Sequence, residues 1–254
     1  MVDTETMGSI EKRICREAKQ NALCFVLLDS ESLSDKMAID LVKKAENAGA
    51  SAILVGGSST IDQIELNQVV SSIKKTIQIP TILFPGNVTG ISPMADAILF
   101  SSLLNSENPY FITQAQALGA IAVKKYNIEA IPMAYIIIGE GSSAWFVGRA
   151  RGIPFDKPKL AVMYALAAQC MGMRSLYLEA GSGALHHVKP EMVTAVRKNF
   201  NGLLIVGGGI RDVKTAREIA QAGADIIVIG TAFEKTNSDK LLRAVIKTIV
   251  SVKR

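Results

Sequence analysis

The sequence predicts an α/β fold, a (β/α)8 TIM barrel whose third helix is missing or replaced by a loop. Three observations carry this. Short apolar runs alternate with amphipathic segments along the chain, one αβ turn occurs twice as near copies, and one interval is too short for a helix. The length of 254 residues suits such a barrel, for which about 250 is typical.

The predicted strands are 22–28, 52–55, 81–84, 97–100, 131–138, 175–178, 203–206 and 225–229. Each is short, rich in Val, Ile and Leu, and continuously apolar, the pattern of a parallel strand covered on both faces. Between them, residues 35–48, 61–75, 158–171, 190–199 and 213–222 show helical amphipathicity, and strict alternation means parallel βα units. Gly49, Gly172 and Gly223 stand where a helix ends before a strand and a left-handed residue is wanted. Asn47-Ala48-Gly49-Ala50 and Gln221-Ala222-Gly223-Ala224-Asp225 repeat one turn. A doubly wound open sheet is the alternative. Against it, no G-x-G-x-x-G follows the first strand, where Asp29 stands instead. Between Phe84 and Ala97, Pro85, Gly86, Gly90 and Pro93 leave no room for a helix. No linker or low-complexity stretch interrupts the chain, so residues 1–254 read as one domain.

Hydrophobic residues make up 49% and charged residues 20%, enough apolar surface for one large core and against disorder. The net charge of +5 is scattered, with no basic and aromatic stripe, which argues against a nucleic-acid partner and fits anionic small substrates. Cys15, Cys24 and Cys170, odd in number and without CxxC spacing, read as reduced thiols rather than a disulfide framework or a zinc site. No run of 18 apolar residues offers a membrane span, and the charged first 20 residues hold no apolar signal core. The expected location is the cytoplasm.

Active sites of such barrels lie at the C-terminal ends of the strands. There the sequence places Asp29 after strand 1, Gly56-Gly57-Ser58 after strand 2, and Glu179-Ala180-Gly181-Ser182-Gly183 after strand 6. Gly207-Gly208-Gly209-Ile210-Arg211 follows strand 7, and Gly230-Thr231-Ala232 follows strand 8. A phosphate needs several backbone N–H groups aimed at one spot with no side chain in the way, which glycine turns at strands 7 and 8 provide; Gly181 and Gly183 extend the cradle. The same glycines also suit a plain tight turn. Asp29 is either a helix cap or, with the Ser58 hydroxyl beside it, a Mg²⁺ site completed by phosphate oxygens and water. Glu179 either binds a substrate hydroxyl and acts as general base or forms a salt bridge, with Arg211 as partner. His186 and His187 read as flanking residues. Trp145, Phe146, Tyr110 and Phe111 read as packing residues that matter only for a substrate with an apolar tail.

At these residues the sequence resembles the geranylgeranylglyceryl phosphate synthase family, in the second of its two groups. The matching phrases are Tyr177-Leu178-Glu179-Ala180-Gly181-Ser182-Gly183-Ala184, Ile205-Val206-Gly207-Gly208-Gly209-Ile210-Arg211 and Ile229-Gly230-Thr231. Phe84-Pro85-Gly86-Asn87, Leu104-Asn105-Ser106 with Asn108-Pro109-Tyr110, and Ile131-Pro132 through Tyr135-Ile136-Ile137 add to them. The Tyr-Leu-Glu phrase is specific, whereas many phosphate-binding barrels share the glycine turns.

The resemblance implies a Mg²⁺-dependent prenyltransferase of archaeal ether-lipid (phospholipid) biosynthesis. Its substrates would be geranylgeranyl diphosphate, a C20 prenyl donor, and sn-glycerol 1-phosphate, whose 3-hydroxyl is alkylated as diphosphate leaves. It implies Asp29 and Ser58 as magnesium ligands. Tyr177, Leu178, Glu179, Ala180, Gly181, Ser182, Gly183, Gly208, Gly209, Gly230 and Thr231 would bind glycerol phosphate, with Glu179 taking the proton. The irregular third unit becomes room for the prenyl chain, and a homo-oligomer, dimer or hexamer, is expected. The sequence departs from the family after strand 1: Ser30-Glu31-Ser32 follow Asp29 where Pro, an acidic residue and Lys are usual, which removes a basic diphosphate contact. A relative using a longer C35 chain, and another phosphate-binding barrel enzyme, are the alternatives.

Overall fold

Eight parallel strands, each hydrogen-bonded to the next, close on themselves in sequence order. The structure is a computed structural model and describes residues 6–29, 35–57, 62–230 and 239–254. The strands are β1 (Leu23–Asp29), β2 (Ala52–Gly57), β3 (Thr81–Pro85), β4 (Ala97–Leu103), β5 (Glu129–Ile137), β6 (Ser175–Glu179), β7 (Leu203–Gly207) and β8 (Ile226–Ile229). The helices are α1 (Ser9–Ala18), α2 (Asp35–Ala48), α3 (Gln63–Lys74), α4 (Ala115–Tyr126), α5 (Ser143–Val147), α6 (Pro158–Cys170), α7 (Pro190–Arg197), α8 (Val213–Gln221) and α9 (Asp239–Val250).

Alternation along each strand sorts the apolar residues into two layers. Leu23 and Phe25 of β1 join Leu54, Ile82, Leu99 and Met133 inside the barrel. Cys24 and Val26 face outward, into the layer shared with the helices. Both faces of the sheet are covered, hence the unbroken apolar runs in the sequence. Gly49, Gly172 and Gly223 all have positive φ, as helix stops before a strand require.

Sequence periodicity left α1 unnoticed, because charges crowd its outer face. Its apolar residues Ile14 and Ala18 plug the bottom of the barrel interior. Glu129, from β5, accepts hydrogen bonds from the amides of Ile10 and Glu11 at 2.9 and 2.7 Å, a carboxylate capping a helix N-terminus from another element. Buried Glu11 pairs bidentately with Arg174, both contacts at 2.8 Å.

The third helix is absent, as expected. Between β3 and β4 stands only a single 3₁₀ turn, Val88–Gly90. The sheet is also weakest there. Strands β3 and β4 pair at Ile82 with Ala97 and Leu83 with Ile98 and then part, whereas β4 and β5 stay paired from Ala97–Glu129 to Leu103–Tyr135.

Candidate active site

Glu179 ends β6, 5% exposed, inside the mouth of the barrel. A carboxylate so buried needs hydrogen-bond donors. It has three: the Gly181 amide at 2.5 Å and the hydroxyls of Tyr177 and Tyr135. Register explains the cluster. Tyr135 is paired with Tyr177 on neighbouring strands, two positions before Ile137 and Glu179. Phe84 of β3 stacks on Tyr177 and meets Tyr135 edge-on, each at 5.4 Å. Burial pushes the Glu179 carboxyl above its ordinary range, and the three donors pull against it, Tyr177 most. Burial likewise holds both phenols well above theirs, with the Glu179 charge adding to the effect. The result is a carboxylate more basic than a free one, wrapped by two groups that stay protonated.

The glycine turns pack on this cluster. Gly181, Gly183, Gly208 and Gly209 all have positive φ. A β-carbon on Gly207 would collide with the Tyr177 hydroxyl, and one on Gly208 with the Gly181 backbone and Glu179. At Gly183 the space is open, and at Gly230 a β-carbon would stand 3.3 Å from the Leu27 carbonyl. So Gly208 and Gly209 serve first to let the turns after β6 and β7 touch, Gly183 leaves free room at the mouth, and Gly230 lies close against the end of β1. Leu178 and Ala180 turn their side chains into the outer core. Arg211 is not the partner of Glu179. Its Nη2 donates to the carbonyls of Gly183 and Ala184 at 2.9 and 2.7 Å, tying the two turns together.

Asp29 closes β1 in register with Gly56 on β2. Ser58 and Thr231 lie outside the described residues. His186 packs edge-on against Phe155, and His187 Nδ1 sits 2.9 Å from the Val188 carbonyl, both flanking roles. Trp145 packs against Leu103, Ile137 and Ala150. Phe146, expected to pack, is instead 76% exposed.

From Glu179 and Ser182 a groove runs outward where β3 and β4 part, lined by Phe84, Val88, Ile91, Leu99, Phe111 and Gly119. It measures about 170 Å³, room for roughly a dozen waters at about 10–15 Å³ each. Walls this apolar favour a hydrocarbon occupant over water. The groove lies where the helix is missing, and Gly119 lets α4 approach Ile91 beside it, where a β-carbon would stand 3.1 Å from the Ile91 methyl. Sequence reasoning missed Tyr135 as a site residue. The signal was there in the alternation Met133, Tyr135, Ile137, which points a phenol inward one step from the Glu179 level.

Fold and site together define a (β/α)8 barrel enzyme whose mouth continues into an apolar groove. The chain matches the PcrB family over residues 16–249 and belongs to that family. It is 65% identical to the geranylgeranylglyceryl phosphate synthase of Nitrosopumilus maritimus over 91% of this chain and 92% of that protein. It is 62% identical to the synthase of the same name from Cenarchaeum symbiosum, over 93% of this chain and 97% of that protein. The crystal structure of the Thermoplasma acidophilum synthase in complex with its substrate sn-glycerol-1-phosphate superposes with a TM-score of 0.93 at 38% identity, covering 97% of this chain and all of that one. Thiamine phosphate pyrophosphorylase from Pyrococcus furiosus, at 14% identity and a TM-score of 0.59, shares the fold alone.

Proposed function

We propose that the protein transfers the C20 chain of geranylgeranyl diphosphate to the 3-hydroxyl of sn-glycerol 1-phosphate and releases diphosphate, as a cytoplasmic step of archaeal ether-lipid synthesis. One observation carries the reading: buried, basic Glu179 stands where an apolar groove meets the glycine turns. The phosphate would rest on the turns of Gly181, Ser182 and Gly183, Gly208 and Gly209, and Gly230 with Thr231. Tyr177 and Glu179 would hold the glycerol hydroxyls. The 3-hydroxyl oxygen bonds to C1 of the prenyl chain, the C1–oxygen bond to diphosphate breaks with its electron pair leaving on diphosphate, and the proton passes to Glu179. The two phenols keep that carboxylate aimed as charge changes on it. The groove positions C1 and excludes water.

Mg²⁺ fits the donor set in kind. Asp29 ends a strand in register with the glycine turn that precedes Ser58, one hard carboxylate and one hydroxyl with diphosphate oxygens to complete the shell. Bound there, it would offset the charge of the departing diphosphate. Among the described residues no group of three His, Cys, Asp or Glu is placed to hold a metal ion. No helix among the described residues is long and apolar enough to cross a membrane. Exposed Leu118 and Ile121 on α4 and Leu160 and Met163 on α6 leave an apolar surface suited to a second copy of the chain in a homo-oligomer; light scattering in solution reads its presence.

The test is incubation with labelled sn-glycerol 1-phosphate, Mg²⁺ and prenyl diphosphates of increasing length. The C20 donor is expected to give the most product. Preference for a C35 donor would favour the longer-chain alternative, and no product from any donor would overturn the reading.

A further inference from the structure

Two motifs from different units meet at the outer edge of the groove. The hydroxyl of Tyr110 donates to Asn87 Oδ1 at 2.5 Å. That same oxygen accepts the Val88 amide at 2.8 Å and so starts the 3₁₀ turn. Asn87 and Val88 form one wall of the groove, Phe111 and Ala115 the other. Tyr110 opens a π-helical turn, Tyr110–Gln114, that leads into α4. Such wide turns are rare and concentrate at functional sites. This one is pinned from below: Gln116 Nε2 donates to the carbonyls of Ser101 and Phe111 at 2.6 and 3.1 Å, and Ser102 Oγ donates to Ile112 at 2.6 Å. The Tyr110 ring is braced edge-on by Phe111 at 5.1 Å.

Resting on the functional reading above, we infer that the Tyr110–Asn87 hydrogen bond is a tie between the two walls, and that Tyr110 and Asn87 are positioning residues for the prenyl substrate. In an ordinary unit of this barrel, a helix would fix the spacing of these walls. Here the helix is gone and the strands beneath have parted, so one wall is a short turn, anchored behind by Gln63 Nε2 donating to the Ile91 carbonyl at 3.0 Å and by Ser92 Oγ donating to Asn67 at 2.6 Å, and joined to the facing wall through the Tyr110 hydroxyl. The tie substitutes for the helix. It sets the spacing of the two walls before the chain arrives, and pre-organisation of that kind is gained as affinity. Neither residue reaches the reacting atoms, so the tie acts on chain binding and leaves glycerol phosphate alone.

The test compares wild type with Tyr110→Phe, which keeps the ring and removes only the hydroxyl, with Asn87→Ala, and with the double variant. For Tyr110→Phe, KM for the prenyl diphosphate is expected to rise about three- to tenfold, the range for loss of one hydrogen bond, while KM for glycerol phosphate stays put. Asn87→Ala, which removes the cap on the Val88 amide as well, is expected to raise it at least as far, and the double variant to be no worse than Asn87→Ala alone, because the Tyr110 hydroxyl then has no tie left to lose. An unchanged prenyl KM in Tyr110→Phe, a parallel rise in both KM values, or additive effects in the double variant would overturn the tie. Wild-type protein inert toward both substrates would overturn the functional reading itself, a result distinguishable at the first arm.

Discussion

A β-carbon at Gly208 would stand 2.5 Å from Glu179 Oε1. The glycine of one loop is thus required by the carboxylate of another, and the phosphate cradle and the proposed base are one packed object. Gly208→Ala meets both that contact and a φ of +83°, a conformation that costs a side chain about 1–3 kcal/mol. It is expected to lower Tm by several degrees, at about 2–4 °C per kcal/mol for a chain of this size, and to abolish glycerol phosphate binding in titration calorimetry. Gly230→Ala meets a milder contact, the Leu27 carbonyl at 3.3 Å with no positive φ, and is expected to lower Tm less than Gly208→Ala while weakening glycerol phosphate binding. Undiminished affinity in both variants would misplace the cradle.

Glu179→Gln is expected to lower kcat by about 10²–10⁴, the usual range for a general base, with the fold retained. The sign of its stability effect follows from the raised carboxyl. A carboxyl that titrates higher when folded stabilises the protein at low pH and loses that stability as pH rises through its folded value. At neutral pH the buried charge therefore costs stability, and the amide relieves it. Denaturant titrations should find the variant at least as stable as wild type at pH 7 and should find that advantage shrinking in acid.

Tyr135→Phe removes one donor from the Glu179 carboxylate. With less stabilisation of its charge, Glu179 takes up a proton at higher pH still. The acid limb of the kcat profile should move to higher pH in this variant. A limb that stays in place would mean Tyr135 only packs.

Asp29→Asn is expected to abolish Mg²⁺-dependent turnover without changing the circular dichroism spectrum. The motive is a carboxylate at the end of β1, in register with the glycine turn of β2. Near-normal rates at saturating Mg²⁺ would remove the metal role from Asp29.

Phe111 stands on the groove wall beside the tie. Phe111→Ala opens the end of the groove and should admit longer prenyl diphosphates, read as a shift in product length by mass spectrometry. An unmoved profile would place the end elsewhere.

The barrel was legible in the sequence because each strand is buried on both faces and so writes an unbroken apolar run, and because Gly49, Gly172 and Gly223 mark where helices stop. The missing helix was legible from simple reach, since residues 85–95 hold four helix breakers. Helix α1 was not, because it buries only a narrow apolar stripe, Ile10, Ile14 and Ala18, among charges, and what holds it comes from far along the chain: Glu129 caps its amides and Arg174 pairs with Glu11. The position of Glu179 at a strand end was readable, but its environment was not. Tyr135 and Phe84 come from other strands, and only register brings them to it. The Tyr110–Asn87 tie joins residues 23 apart through a π-helical turn that no local pattern announces. Leu178 and Ala180 matched a specific phrase as sequence, yet alternation sends their side chains to the outer core.

The most direct test is a crystal structure with sn-glycerol 1-phosphate and an unreactive thio-analogue of geranylgeranyl diphosphate bound together. The expected result has the phosphate on the turns of Gly181 to Gly183 and Gly208 to Gly209, and the chain running out past Phe84 between Val88 and Gly119. It also has the glycerol 3-hydroxyl within about 2.6–3.2 Å of a Glu179 oxygen. A glycerol phosphate whose hydroxyls point away from Glu179, or a chain that leaves the mouth by any path other than the gap between β3 and β4, would contradict it.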